Sequence, residues 1–231
     1  MSKVLVTEQY LSDIGSAIRA KAGVSEAFQP AQMASAINDI PSGGGTEAED
    51  GLVTRTLSSY ENSRVSYIGS LAFYSYPSLI TANFPNVISI GTSAFYHCNS
   101  LTTMSAPNVT NLGNYAFYYC YALTTASFPN VTSIGSYTFR YCSSLITASF
   151  PNVISIGSYA FGSCYNLLSV YLLGSSIPTL ISTNVFLSTP ISDYTTSTGG
   201  VYGSIYVPAS LYSSYKTATN WTTYSSRFVS V

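Results

Sequence analysis

In "TTASFPN", residues 124–130, Thr124, Ala126 and Phe128 share one parity and Thr125 and Ser127 the other. Alternation with a period of two predicts a strand with one buried face. Pro129-Asn130 then turns the chain. The pattern returns every 22 residues: Val at 65, 87, 109, 131 and 153, Phe at 73, 95, 117, 139 and 161, and Leu at 79, 101, 123, 145 and 167. An Ile or Leu followed by Gly starts at 68, 90, 112, 134 and 156. Five units in register, without a gap, predict a solenoid whose coils stack through one parallel strand each. The inward column is then Ala82/Phe84, Met104/Ala106, Ala126/Phe128 and Ala148/Phe150. The second unit exchanges small-then-large for large-then-small, a volume trade that a close-packed interior is expected to absorb. The outward Thr, Ser and Asn residues predict a flat polar face.

The period changes on both sides of the array. Leu11, Ile14 and Ile18 share one helical face, with Thr7 as cap and Gly23 as stop signal. Met33, Ile37 and Ile40 line a second short helix between Pro30 and Pro41. A helical hairpin over 1–41 is too small to bury much surface alone, so its apolar faces are expected to serve attachment or oligomerisation. "PSGGGTEAED" makes 42–50 a flexible linker. Residues 51–167 are assigned to the solenoid, with 51–64 covering its first edge. After residue 168 the period breaks. Residues 168–231, with a short helix near 209–217 and the only Trp, predict an α+β cap over the second edge. The fold class is mainly β.

Composition narrows the function. With 231 residues, 46% of them hydrophobic, the chain can build a core. Only 7% are charged and the net charge is −1, so no Lys/Arg excess points to nucleic acid. The first residues carry no secretory signal, and no stretch approaches the length of a membrane span. Synthesis in the cytoplasm, no evident export route and no membrane insertion are the expectations. The four Cys follow the 22-residue register instead of forming CxxC pairs, which predicts buried thiols. Chemistry-bearing residues are scarce. His97 is the one histidine, and Arg140 is the one charged residue between Val65 and Ser192. No phosphate-cradling loop, HExxH or GxSxG occurs. No catalytic, metal or cofactor residue is assigned, and the chain reads as non-enzymatic.

The informative positions are those where the units differ. Tyr96, His97, Tyr118, Tyr119, Tyr121, Arg140, Tyr141 and Tyr165 fall along one long edge and are the candidate ligand- or partner-binding residues. Tyrosine suits such a surface, with an apolar ring face, a polar tip and little entropy to lose. Tyr115, Tyr137 and Tyr159 fit that edge and fit equally a stacking ladder between coils. The Thr/Ser/Asn sheet face ranks second.

The unit "LTTASFPNVTSIGSYTFRYC", with its I-G-x-x-A-F-x-x-C core, resembles the BspA-type bacterial leucine-rich repeat family over about residues 65–167. Tyr76 stands in place of the first Cys, and Thr138 in place of one Ala. "IYVPASLYSSYKTATNW" is similar to the segment that often closes such arrays. "YLSDIGSAIRAKAG" with "FQPAQMASAINDIP" is similar to an N-terminal module of virion proteins from phages of Gram-positive bacteria. Together these resemblances imply a phage head or tail fibre-like or decoration protein. Its helices would join capsid or tail proteins, and its solenoid would meet a host-surface glycan or protein. Such a protein would reside in the virion as a homo-oligomer, with a trimer among the candidate states. The alternatives are a bacterial cell-surface adhesin and a purely structural filament or capsid-decorating subunit.

Overall fold

The computed structural model describes residues 57–193 and 198–231. The chain divides into two units, Met1–Ser42 and Gly43–Val231, and every described residue lies in the second. The expected hairpin, with Leu11, Ile14, Ile18, Met33, Ile37 and Ile40, and the 42–50 linker lie outside the described residues.

The repeating coils each carry two short strands where the sequence predicts one. The first column holds β1 (Ser59–Glu61), β3 (Thr81–Asn83), β5 (Thr103–Ser105), β7 (Thr125–Ser127), β9 (Thr147–Ser149) and β11 (Ser169–Tyr171), completed by β13 (Ser204–Val207) and β14 (Phe228–Ser230). The second holds β2 (Tyr67–Ile68), β4 (Ser89–Ile90), β6 (Asn111–Leu112), β8 (Ser133–Ile134), β10 (Ser155–Ile156) and β12 (Thr179–Leu180), one six-stranded parallel sheet. Pairing follows the repeat: Ala126 lies opposite Ala148, and Ile134 opposite Ile156. Strands of two residues are too short to show alternation, which is why the second column escapes a pattern reading.

The first column is itself split into β1-β3-β5 and β7-β9-β11-β13-β14. The split falls at Met104, which is only half-buried. Ala82, Ala126 and Ala148 hold its position in other coils and are buried. Met104 still pairs with Ala82 on its other side, and Val170 pairs with Ala148, so residues larger than Ala are accommodated in this column. Met104 packs against the core and Ala106 is buried, so the exchanged volumes both sit inside the coil.

Both ends differ from expectation. β1 pairs with β3 as a further rung, and Tyr60 packs on Phe73 and Phe84 at 5.1 and 5.5 Å between ring centroids. Residues 57–64 thus extend the array instead of covering it. Beyond residue 168 a sixth coil continues. Its spacing stretches to 24 residues where Leu180 lies opposite Ile156. Phe186, 25 residues after Phe161, still stacks on it at 5.4 Å. The cap follows, with 3-10 turns at Ala209–Leu211 and Thr222–Tyr224 around a short helix α1 (Tyr212–Tyr215). Asn220 Nδ2 donates to the Leu180 carbonyl, and Trp221 Nε1 to that of Pro178, both at 2.7 Å. The Tyr224 hydroxyl donates to the Thr183 carbonyl. Burial pushes this phenol up to about 12. These three carbonyls of the last coil are thereby satisfied and shielded from further pairing.

The core is a column of phenylalanines. Phe73, Phe95, Phe117, Phe139 and Phe161 stack at 4.9, 5.2, 5.2 and 5.3 Å between ring centroids. Beside it run the four thiols. Cys98, Cys120, Cys142 and Cys164 each donate to the carbonyl of a Phe 25 residues earlier, at 3.0–3.2 Å. Burial raises the thiols of Cys120, Cys142 and Cys164 far above their ordinary pKa. They stay protonated and unreactive through neutral and mildly alkaline pH. A thiol reagent at pH 8 is expected to label none of the four in the native protein and all four in denaturant. Rapid native labelling would contradict this packing.

Candidate functional site: an aromatic edge on the turns

After its Ile-Gly pair, a coil makes two successive turns. In the third unit the Ala116 amide donates to the Gly113 carbonyl, and that of Cys120 to Phe117, at 3.3 and 3.2 Å. The third residue of each turn is a tyrosine with positive φ, Tyr115 at 57° and Tyr119 at 61°. A type II turn ordinarily places Gly or Asn there. The same geometry holds at Leu71/Ser75, Ser93/His97, Tyr137/Tyr141 and Tyr159/Ser163, with no glycine at any of these positions. Left-handed backbone costs a side chain about 1–2 kcal/mol. Bonds between coils hold it in place, such as Tyr115 N to Ser136 O and Tyr119 N to Arg140 O, both 3.0 Å.

These turns project three ladders of rings. Tyr74, Tyr96 and Tyr118 stack at 5.0 Å each, within 10° of parallel. His97, Tyr119 and Tyr141 follow at 4.4 and 4.7 Å. Tyr115, Tyr137 and Tyr159 stack at 4.9 and 5.2 Å. Edge-to-face contacts join the ladders: Tyr118 meets Tyr119 at 4.3 Å and 77°, and Tyr115 at 5.5 Å and 62°. Tyr121, 40% exposed, tilts against Tyr119 at 5.4 Å. Seven of the eight sequence-predicted residues thus form one surface. Tyr165 is half-buried at the register of Tyr121 two coils on, with Ser143 between.

The stacking changes what this surface offers. Tyr96, Tyr119 and Tyr137 have ring neighbours on both sides, so ring faces are spent on coil-to-coil packing. Ring edges and hydroxyls are what remain outward, in place of the apolar faces expected from the sequence. Tyr115, Tyr137 and Tyr159 do form the stacking ladder. They also border the surface, because Arg140 reaches across to them. Tyr74 joins through its 22-residue register with Tyr96, the signal that could have assigned it. Burial, then the Tyr119 hydroxyl, holds the Tyr118 phenol well above its ordinary pKa, and burial lifts Tyr96 and Tyr121 too. These hydroxyls stay neutral, each able to donate and accept.

Arg140 lies among the rings. Its guanidinium carbon is 5.5, 4.8 and 5.1 Å from the ring centroids of Tyr137, Tyr141 and Tyr159. Its Nη2 donates to the Tyr141 hydroxyl at 3.2 Å, and its Nε is buried without a hydrogen-bond partner. The ion pair among the described residues lies elsewhere, between Arg227 and Asp193.

A groove of about 640 Å³ runs beside the Pro-Asn corners, flanked by exposed Ile88 and Ile154. Most of its polar side chains are already engaged, Ser175 and Ser176 aside. Asn108, Asn130 and Asn152 donate to the carbonyls of Pro85, Pro107 and Pro129 at 2.7–2.9 Å. Thr110 and Thr132 donate to the preceding coil's carbonyls at 3.1 Å. With its Asn and Thr donors spent on the scaffold, the groove ranks behind the aromatic edge. Among the described residues no three His, Cys, Asp or Glu side chains gather to hold a metal ion. No helix there is long and apolar enough to cross a membrane.

The sequence pattern of the BspA type Leucine rich repeat region matches residues 66–192 in six copies. The chain belongs to this family. The matched span runs past residue 168 and takes in the stretched coil that the 22-residue period misses. Two solved structures of leucine-rich repeat proteins are similar. A leucine rich cell surface protein from Faecalibacterium prausnitzii A2-165 is 31% identical with a TM-score of 0.54, over 65% of this chain and 39% of its own. The T. pallidum Leucine Rich Repeat protein is 30% identical with a TM-score of 0.48, over 50% of this chain and 58% of its own. The chain therefore spans well under two thirds of either structure. No curated protein matches it. None of these likenesses supports the phage-like N-terminal module.

Proposed function

We propose that this BspA-type protein is a non-enzymatic recognition protein of the bacterial cell surface, engaging its partner through the aromatic edge. The observation that carries the reading is the three-ladder surface of tyrosines and His97 around a cation with no carboxylate partner among the described residues. The F. prausnitzii relative, described as a cell surface protein, favours that location over the virion. The virion reading and its capsid or tail partners rest on the resemblance of residues 1–41 alone.

Two measurements test this. Protease shaving of intact producing cells should release peptides of the solenoid; recovery of the chain only from particles would restore the virion reading. Tyr119→Ala should cut adhesion of the full chain to host cells about thirtyfold, the scale of a hot-spot residue. Its melting temperature should stay within a few degrees. Ile88→Ser, in the groove, should leave adhesion unchanged. The opposite pattern would move the site to the groove.

A further inference from the structure

Resting on that recognition reading, we infer that the aromatic edge takes an extended, β-linked acidic polysaccharide, laid along the solenoid axis with a carboxylate on Arg140. Three features of the edge converge on this ligand.

The first is spacing. Ring edges repeat at 5.0 Å along Tyr74, Tyr96 and Tyr118, and at 4.9 and 5.2 Å along Tyr115, Tyr137 and Tyr159. A pyranose in an extended β-1,4-linked chain advances by a similar step, close to the ~4.8 Å between stacked strands. One sugar per coil stays in register over the whole edge, with successive sugars turned over so that like edges meet every second coil. An extended peptide places same-side residues about 6.8 Å apart and drifts out of register within a few coils.

The second is hydrogen-bonding character. Sugar hydroxyls both donate and accept, and so do neutral phenols. The edge presents phenols at each step, while their ring faces are already stacked.

The third is charge. Arg140 stands alone between Val65 and Ser192, with no acidic residue in that span. Cation–π contacts with Tyr137, Tyr141 and Tyr159 hold the guanidinium without neutralising it. In the next coil its position is Gly162, whose missing Cβ would sit 3.5 Å from Arg140 Cγ. No side chain of that residue continues the column over the cation. A planar guanidinium that spends one Nη2 bond on the Tyr141 hydroxyl can still bind a carboxylate through its terminal nitrogens, with strength a neutral ligand cannot draw on.

Calorimetric titration of the full chain with β-1,4-linked mannuronate oligomers, neutral cello-oligosaccharides of equal length and a poly-glutamate peptide tests the inference. The mannuronate oligomers should bind tightest, with affinity rising with length across the coils. Arg140→Gln should weaken them about tenfold or more, as expected for loss of a charged hydrogen-bonding partner. Binding of the neutral oligomers should not change. Arg140→Lys should restore part of the loss. Equal affinity for neutral and acidic oligomers overturns the role of Arg140. Preference for poly-glutamate overturns the saccharide and assigns an acidic peptide. If no saccharide binds while Tyr119→Ala still reduces adhesion, this inference falls and the recognition reading stands. If Tyr119→Ala also leaves adhesion intact, both fall.

Discussion

Phe139→Ala is expected to destabilise the solenoid by about 3–5 kcal/mol, the range for truncating a buried Phe. Phe139 is fully buried and stacks on Phe117 and Phe161 at 5.2 and 5.3 Å. It also tilts against Phe128 and Phe150 at 6.2 and 5.9 Å. Its loss opens a void touching both neighbouring coils. Those coils are pinned by β-ladders and by the thiol bonds, so they cannot collapse inward to fill it. In a stack where each coil contacts only its neighbours, two interfaces weaken at once. Urea unfolding followed by circular dichroism measures the effect. A loss under about 1 kcal/mol would mean that the Phe column is not the source of cohesion.

Gly157→Ala should cost about 2–3 kcal/mol, through overpacking and not through backbone preference. A Cβ there would lie 2.4 Å from the Ser136 amide nitrogen and 2.6 Å from the Gly135 carbonyl carbon. Gly91, Gly113 and Gly135 meet the preceding coil at 2.6 Å in the same way. None of the four has positive φ. The glycine column exists because one coil's backbone lies directly on the next. Gly69 opens the first unit of the period, and a Cβ there would meet nothing nearer than the Tyr67 ring at 3.9 Å. Gly69→Ala should therefore change stability by no more than about 0.5 kcal/mol. Equal penalties at Gly69 and Gly157 in thermal melts would refute the close-approach account.

How far the sequence carries can be judged from single residues. Ala126 and Phe128 read as inward, and both are buried. The Cys register reads as packing, and each sulfur sits against a Phe carbonyl. Met104 also reads as inward and packs against the core, although parity does not show that it stays only half-buried. Leu180 and Phe186 hide because the last coil is stretched by two or three residues, which breaks the period without ending the stack.

What the sequence by itself determined is the register: which residues recur, which of them point inward and which coil each belongs to. Identical spacing forces identical coils to stack in line, and no further information is needed. What only the tertiary structure decided is how the edge residues are used. Tyr96 and Tyr119 read as open ring faces and are sandwiched instead. Arg140 reads as a lone cation and lies among rings of its own coil and the next. Both outcomes depend on positive-φ turns and on coils stacked about 5 Å apart. That spacing brings each ring within van der Waals reach of its counterpart one coil away, a contact that residue order within one unit does not encode.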